Sequence, residues 1–341
     1  MISLIVPVYK SSPNIVPLVA ALSRLNEDLA GEFEAVLVVD GSPDDSYLQL
    51  GRLLPAAPFR SQLLLLSRNF GSFSAIRAGL EAARGDRFAV MAADLQEPPE
   101  LVLAFDRQLR DGDTDIVLGL RASRDDPWLS KLMSATFWAL YRRFVLPDVP
   151  PGGVDAFACN AQVRDQILTL AENHSSLVGL LLWVGFRRSL VPYARRAREA
   201  GKSAWSLRKK LAYLLDSVFS FTDLPIRILT RIGSLGLLLS LVFVALVIYA
   251  RLTNSIDVPG YAATVITITF FGALNCLGLG IIGSYVWRSY ENTKGRPNYI
   301  VARSTPYGSP ALAQSARSEA SDGAPHGVDD QLDLIVLHSR P

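Results

Sequence analysis

Apolar and polar positions in the first third of the chain follow two alternating periods. Short, almost wholly apolar runs stand at Ile2 to Val8, Phe33 to Asp40, Gln62 to Leu66, Arg87 to Ala92 and Asp115 to Leu120. Runs of this length and composition are strands of a sheet covered on both faces. Between them, apolar residues recur at helical spacing over Ile15 to Ala30, Asp44 to Leu54, Ser72 to Ala83 and Pro99 to Arg110, the pattern of amphipathic helices. Strand and helix taken in turn predict an α/β fold built on a mostly parallel sheet flanked by helices. Ligands of such a sheet bind beyond the carboxyl ends of its strands, which places Tyr9, Asp40, Ser67, Asp94 and Arg121 at the mouth of a site before its chemistry is known.

The pattern changes after residue 200. Ala204 to Phe221 mixes Trp205, Leu207, Leu211, Leu214, Leu215, Val218 and Phe219 with Arg208, Lys209 and Lys210. This predicts an amphipathic helix whose apolar face rests either in a membrane interface or on the preceding domain. Ile232 to Ala250 then gives 19 residues without a charge, and Val258 to Trp287 is again uncharged. Two such runs in tandem predict a transmembrane hairpin, a buried core helix being the alternative for each alone. Basic residues stand before the first run (Arg227, Arg231) and after the second (Arg288, Lys294, Arg296), so both ends of the hairpin are expected on the cytoplasmic side. The tail beyond Arg303, rich in Ser, Ala, Pro, Gly and Asp, is expected to be disordered.

Composition agrees with a soluble domain plus a few membrane segments: half of the 341 residues are hydrophobic and the mean hydropathy is +0.24. A net charge of only +2 gives no reason to expect a nucleic-acid partner. The basic residues are unevenly placed, however, with Arg187, Arg188, Arg195, Arg196, Arg198, Lys202, Arg208, Lys209 and Lys210 crowded just ahead of the apolar runs. They could meet lipid headgroups or phosphate, or form a solvated charged face. Two cysteines, Cys159 and Cys276, one of them inside an apolar run, make a disulfide framework improbable and fit a reducing compartment. The apolar amino terminus is short and reads as a first strand rather than a signal peptide.

Chemistry concentrates at the predicted strand ends. Asp94 and Gln96 follow the fourth strand, and a carboxylate and an amide oxygen two residues apart can share a hard divalent cation; taken alone, Ala92 to Glu100 is an ordinary strand-to-helix turn with proline at the helix start. Its company gives it meaning: Val6-Pro7-Val8-Tyr9 after the first strand, Val39-Asp40-Gly41-Ser42-Pro43-Asp44 after the second, Arg68-Asn69-Phe70-Gly71 after the third and Gly119-Leu120-Arg121 after the fifth. Further on come Gly153-Val154-Asp155-Ala156-Phe157, the basic run Tyr193 to Trp205, and Gly283-Ser284-Tyr285 with Lys294 to Val301.

In this order and spacing the series resembles glycosyltransferase family 2, in the branch that includes dolichyl-phosphate mannose synthase and bacterial polyprenyl-phosphate glycosyltransferases, over nearly all of residues 1 to 302. The resemblance implies a GT-A, Rossmann-like catalytic domain over residues 1–203, juxtamembrane amphipathic helices over 204–231 and a hairpin over 232–287, with helices at about 232–250 and 263–287. A cytoplasmic post-membrane segment (288–302) and a disordered tail (303–341) complete the division. The chain would then be an integral protein of a bacterial inner membrane, with its catalytic domain and carboxyl terminus cytoplasmic. The implied reaction is inverting transfer of a sugar from a nucleotide-diphosphate sugar to a polyprenyl phosphate.

By the same resemblance, the donor lies across Pro7, Val8 and Tyr9, with Asp40 accepting a hydrogen bond from base or ribose; an Asx turn with Ser42 is the local alternative for Asp40. Asp94 and Gln96 hold Mg2+ or Mn2+ against the donor diphosphate. Asp155 positions the acceptor or takes a remaining proton, unless it is a surface turn carboxylate, and Arg121, Arg195, Arg198 and Ser203 bind phosphate. Gly272, Gly278, Gly280 and Gly283 in the second span permit contact within the hairpin or in a homo-oligomer. Three positions depart from the family pattern: Ala92 and Val39 stand where acidic residues often do, and Ala204 replaces a lysine. The first two favour the competing readings of a catalytically weak scaffold that binds a nucleotide sugar or lipid; a third reading keeps the enzyme but gives it another membrane lipid as acceptor.

Overall fold

The computed structural model describes residues 1–121, 156–170, 177–195, 224–253 and 260–308, with a few isolated positions between them. Among these residues eight strands form one sheet: β1 (Ile2–Val8), β2 (Phe33–Val39), β3 (Arg60–Leu66), β4 (Arg87–Val90), β5 (Ile116–Arg121), β6 (Phe157–Asn160), β7 (Arg188–Tyr193) and β8 (Val301–Tyr307), in the order β7-β5-β6-β4-β1-β2-β3-β8. β6 and β8 run antiparallel to their neighbours and every other pairing is parallel. The mostly parallel α/β sheet expected from the hydrophobic runs is therefore present, and the five strands read from them appear within a few residues of their expected bounds.

The helices of this domain are α1 (Ile15–Asp28), α2 (Ser46–Leu53), α3 (Ser72–Ala82), α4 (Glu100–Arg110), α5 (Ala161–Thr169) and α6 (Leu177–Trp183). Side chains alternate along each strand, so the sheet has two cores. Ile2, Leu4, Val6 and Val8 of β1 lie in one, with Leu18 and Leu22 of α1 and Phe105 of α4. Ile5 enters the other, with Val36, Val38 and residues of α3, α5 and α6. α3 sits so close to the sheet that a Cβ on Gly79 would stand 2.4 Å from the Ile5 side chain. At the amino edge of the strands a buried polar cluster closes the sheet: Glu34 accepts from Ser3 at 2.6 Å, from Gln62 at 2.8 Å and from the Arg84 amide at 2.9 Å.

β6, β7 and β8 were not among the predicted strands. β7 begins inside the basic run, and its Arg187 flank corrects the lipid-or-solvent reading of that residue. The Arg187 guanidinium grips Asp115 through Nε and Nη2, each at 3.0 Å, while Asn160 donates to the same carboxylate at 3.0 Å. Hydrogen bonding from Arg187 holds the Asp115 carboxyl below its ordinary 3.8, against the opposing effect of burial. A carboxylate depressed on folding contributes stability above its unfolded pKa and loses it as pH falls through the folded one. Asp115→Asn is therefore expected to melt below the parent at neutral pH, and the gap to close as pH is taken below 3.8, as calorimetry over that range will show.

Two long helices follow, α7 (Leu224–Leu252) and α8 (Tyr261–Thr293). Among the described residues one stretch, Phe270–Thr293, is long and apolar enough to cross a membrane, and its apolar window is nowhere buried within the chain. The two-helix hairpin expected from the sequence is not shown among the described residues; Phe270–Thr293 overlaps only its second expected span, by length and composition. The tail boundary needs correction: residues 303–307 belong to β8, which pairs antiparallel with β3 from Leu66↔Val301 to Ser61↔Tyr307. The edge of β3 offers unpaired amides and carbonyls, and a returning segment satisfies them. The Ser67 amide donates to the Ile300 carbonyl at 2.9 Å and Tyr299 bonds Glu81, so the chain leaving α8 reaches the sheet at the carboxyl end of β3. Both cysteines are free, and burial pushes the Cys159 thiol up to about 12.

Candidate active site

The carboxyl ends of β1, β2 and β3 form one side of the mouth. After β1 the backbone turns sharply at Lys10 (φ +51), whose amide donates to Ser42 Oγ at 2.8 Å. Tyr9 and Pro7 are partly exposed there, and Lys10 Nζ lies 5.5 Å from the centre of the Tyr9 ring. Val8 is fully buried in the core, so it serves the mouth through its backbone, its carbonyl accepting the Asp40 amide at 3.0 Å.

Asp40 does something that the sequence did not indicate. Its side chain points across to the loop after β3, where Oδ1 accepts the Phe70 amide at 2.7 Å and Oδ2 the Gly71 amide at 2.8 Å. Asp40 is 2% exposed, and that burial raises its pKa above 3.8, with the two amides and Arg68 opposing. A carboxylate next to the first turn of α3 is also favoured by the helix dipole. The Asx turn with Ser42 is not Asp40's: Ser42 donates instead to Asp44 Oδ1 at 2.6 Å, and Asp44 Oδ2 accepts the Ser12 amide at 3.0 Å. Gly41 makes this crossing feasible, since at φ +54 a Cβ would stand 2.3 Å from the Arg68 backbone. Arg68 packs over the Phe70 ring at 4.1 Å, so a cation and an aromatic face also stand at this mouth.

The other side is built by the loop after β4 and the end of β7. Asp94 Oδ1 accepts the Gln96 amide at 3.3 Å, which draws the two side chains onto one turn, and Leu95 between them takes φ +53. Glu97, 2% exposed, folds back to accept the Ala92 amide at 3.2 Å. Sequence reading passed over Glu97, because a carboxylate before two prolines carries no pattern that signals burial. From the far edge, Arg195 reaches across β5 and β6 and donates to Gln96 Oε1 at 2.5 Å. Arg121 ends β5, in register with Tyr193 of β7.

The structure thus brings Asp94, Gln96 and Arg195 together and sets Tyr9 and Asp40 on the neighbouring strand ends. Asp155, Arg198 and Ser203 lie outside the described residues, as do Ala204 to Ser217 of the predicted juxtamembrane helix. Among the described residues no three His, Cys, Asp or Glu side chains converge as a metal site. Asp94 and Gln96 nevertheless offer hard oxygen donors suited to a divalent cation whose other ligands come from a diphosphate and water. Gln96 Oε1 already accepts from Arg195, which leaves its second lone pair for a cation.

Comparison with known proteins bears on most of the chain. The model of Glycosyl transferase family 2 matches residues 3–168. An uncharacterized glycosyltransferase of Synechocystis sp. is 34% identical over 304 residues, which cover 88% of this chain and 94% of that protein. The chain belongs to glycosyltransferase family 2. With that membership the α/β sheet is a GT-A domain and the protein a glycosyltransferase. A prophage-derived bactoprenol glucosyl transferase of Shigella flexneri is 31% identical, with coverage of 89% of this chain and 98% of that one. Among solved structures, glucosyl-3-phosphoglycerate synthase of Mycobacterium tuberculosis superposes with a TM-score of 0.47 at 19% identity, over 64% of this chain and 77% of that one, too distant to inform the donor or the metal.

Proposed function

We propose that this family 2 glycosyltransferase moves a sugar, with inversion, from a nucleotide-diphosphate donor to a polyprenyl phosphate of undecaprenyl type. The reaction takes place at the cytoplasmic face of a bacterial inner membrane and supplies a lipid-linked sugar for cell-surface glycan or lipopolysaccharide modification. The observation that carries this reading is the 31% identity to a bactoprenol glucosyl transferase across 98% of its length, a span that takes in the two long helices as well as the sheet. The fold supports it: seven residues, 294–300, separate Thr293 from Val301, so an extended link of at most roughly 29 Å joins the end of α8 to the sheet edge on the side where the site opens.

In this proposal α7 and α8 form the hairpin, with both of its ends cytoplasmic. An acceptor phosphate oxygen attacks the anomeric carbon, forming the new C–O bond as the bond to the diphosphate breaks and its electrons pass to the departing nucleotide. The acceptor is already anionic near neutral pH, so little proton transfer is required. Pro7 to Tyr9 and the loops organised by Asp40 hold the donor. Arg121, Arg195, Arg198 and Ser203 bind and orient phosphate, and Asp155 positions the acceptor or takes a remaining proton. Asp94 and Gln96 would hold Mg2+ or Mn2+, which supplies charge against the leaving diphosphate.

Full-length protein supplied with polyprenyl phosphate and radiolabelled uridine, guanosine and thymidine diphosphate sugars is expected to label the lipid from one donor in a cation-dependent way. Absence of label with every donor, or label appearing in diacylglycerol instead, would overturn the reading. Arg195→Ala is expected to slow transfer by about ten- to a hundredfold through loss of a charge-assisted phosphate contact. The same variant removes a positive charge that donates to Gln96 Oε1, so Mn2+ binding without donor, followed by electron paramagnetic resonance, is expected to tighten.

A further inference from the structure

The run from Lys294 to Val301 takes no part in the proposed reaction, yet it ends against the loop at the donor side of the mouth. After α8 the chain turns at Gly295 (φ +58) and enters β8, which pairs with β3. Leu65 stands opposite Arg303 but Leu66 opposite Val301, so the ladder slips by one residue just before β3 ends. A slip of this kind bends the strand and re-aims the residues that follow it. Two contacts lie just past it. The Ser67 amide donates to the Ile300 carbonyl at 2.9 Å, and the Tyr299 hydroxyl donates to the Glu81 carboxylate, beside the end of α3. The Tyr299 ring is partly buried against the same core as Phe70 and Phe73.

Five residues, 67–71, join β3 to α3. Asp40 holds the far end of this loop by accepting the Phe70 and Gly71 amides, Ile300 holds its near end, and Tyr299 ties down the helix into which it leads. A loop fixed at one end can pivot, whereas a loop fixed at both presents one surface to a ligand. Slack is small here, since a Cβ on Gly41 would stand 2.3 Å from the Arg68 backbone. We infer that Tyr299 and Ile300 are positioning residues for the nucleotide donor: the chain leaving α8 fixes loop 67–71, and with it Arg68 and the Phe70 ring, where the donor meets them. The inference rests on the reading that this loop holds the donor. It makes donor affinity depend on a segment that follows the proposed membrane helices. If β8 served only to cover the β3 edge, both of its ends would matter alike. Tyr307 marks the other end, in register with Ser61 and packed against the other core.

Isothermal titration of the full-length protein with uridine, guanosine and thymidine diphosphates, each with Mg2+ present, tests the positioning role. Tyr299→Ala is expected to weaken the nucleotide that the wild type binds best by about tenfold. Tyr299→Phe, which keeps the ring and loses the bond to Glu81, should weaken it by about threefold, the scale of one hydrogen bond. Glu81→Ala should match Tyr299→Phe, and the double variant should be no weaker than either, because both remove the same contact. Tyr307→Ala should lower the melting temperature and leave affinity unchanged. In transfer assays the loss should appear in the donor KM, with the rate at saturating donor retained. Unchanged affinity in Tyr299→Ala, or equal weakening in Tyr299→Ala and Tyr307→Ala, would overturn the inference. Asp40→Ala separates the two claims. If the wild type binds none of the three nucleotides, or Asp40→Ala binds as the wild type does, the donor reading of the loop fails and the positioning role with it. If Asp40→Ala weakens binding while Tyr299→Ala does not, the positioning role alone is refuted.

Discussion

Asp94→Ala is expected to reduce sugar transfer to polyprenyl phosphate by about a thousandfold or more, the scale of losing a preorganised charge contact to a leaving group. On the proposed assignment Asp94 is the only carboxylate on the turn that it shares with Gln96, because Ala92 supplies none and Glu97 is folded back onto the Ala92 amide. No neighbour on this turn is therefore placed to replace it. The variant should also fail to bind Mn2+ in an electron paramagnetic resonance titration, with its melting temperature recorded alongside to report that it is folded. Wild-type rates in Asp94→Ala and Asp155→Ala alike would remove both residues from the site.

Asp40→Ala carries the second large effect, and of a different kind. Its carboxylate anchors the Phe70 and Gly71 amides from a position 2% exposed. Truncation leaves both donors without their acceptor at a cost of roughly 1–3 kcal/mol each. The loop after β3 and the first turn of α3 then lose their fixed position against β2. Donor affinity is expected to fall by about a hundredfold, together with a lower melting temperature. Asp40→Asn offers an oxygen to one amide and an NH2 group to the other, so it should recover part of the stability and little of the affinity. Isothermal titration with nucleotide diphosphate, alongside thermal denaturation, distinguishes this from a direct hydrogen bond between Asp40 and the base. A direct bond would change affinity and leave the melting temperature alone.

The parallel strands were legible because a strand covered on both faces must be apolar at nearly every position; β1 and β2 are buried throughout except for Pro7. Helices α1 and α4 were legible for the complementary reason, each burying one stripe, as Ile15, Leu18, Leu22 and Leu25 do in α1, whereas α3 buries the consecutive residues Ala75 to Leu80. β6 has four residues and lies between two neighbours that run against it, while β8 is an exposed, polar edge strand. Neither is long or apolar enough to carry a pattern of its own. β7 was hidden by charge: its Arg187 flank reads as part of a basic run until Asp115, far away in sequence, is seen to neutralise it.

By itself the sequence determined the fold class, the positions of the strand ends and the residue types gathered there, because hydrophobic period and turn chemistry are local properties of a chain. It also pointed to a long apolar helix in the second uncharged run, where Phe270–Thr293 is long and apolar enough to cross a membrane, because that property depends only on composition along a helix. Only the tertiary structure decided that Asp40 faces inward to the amides before α3, that Arg195 crosses two strands to Gln96, and that the segment after α8 completes the sheet at β3. Each is a contact between residues brought together by packing, and its geometry depends on sheet order and loop crossing. No period in the sequence encodes either.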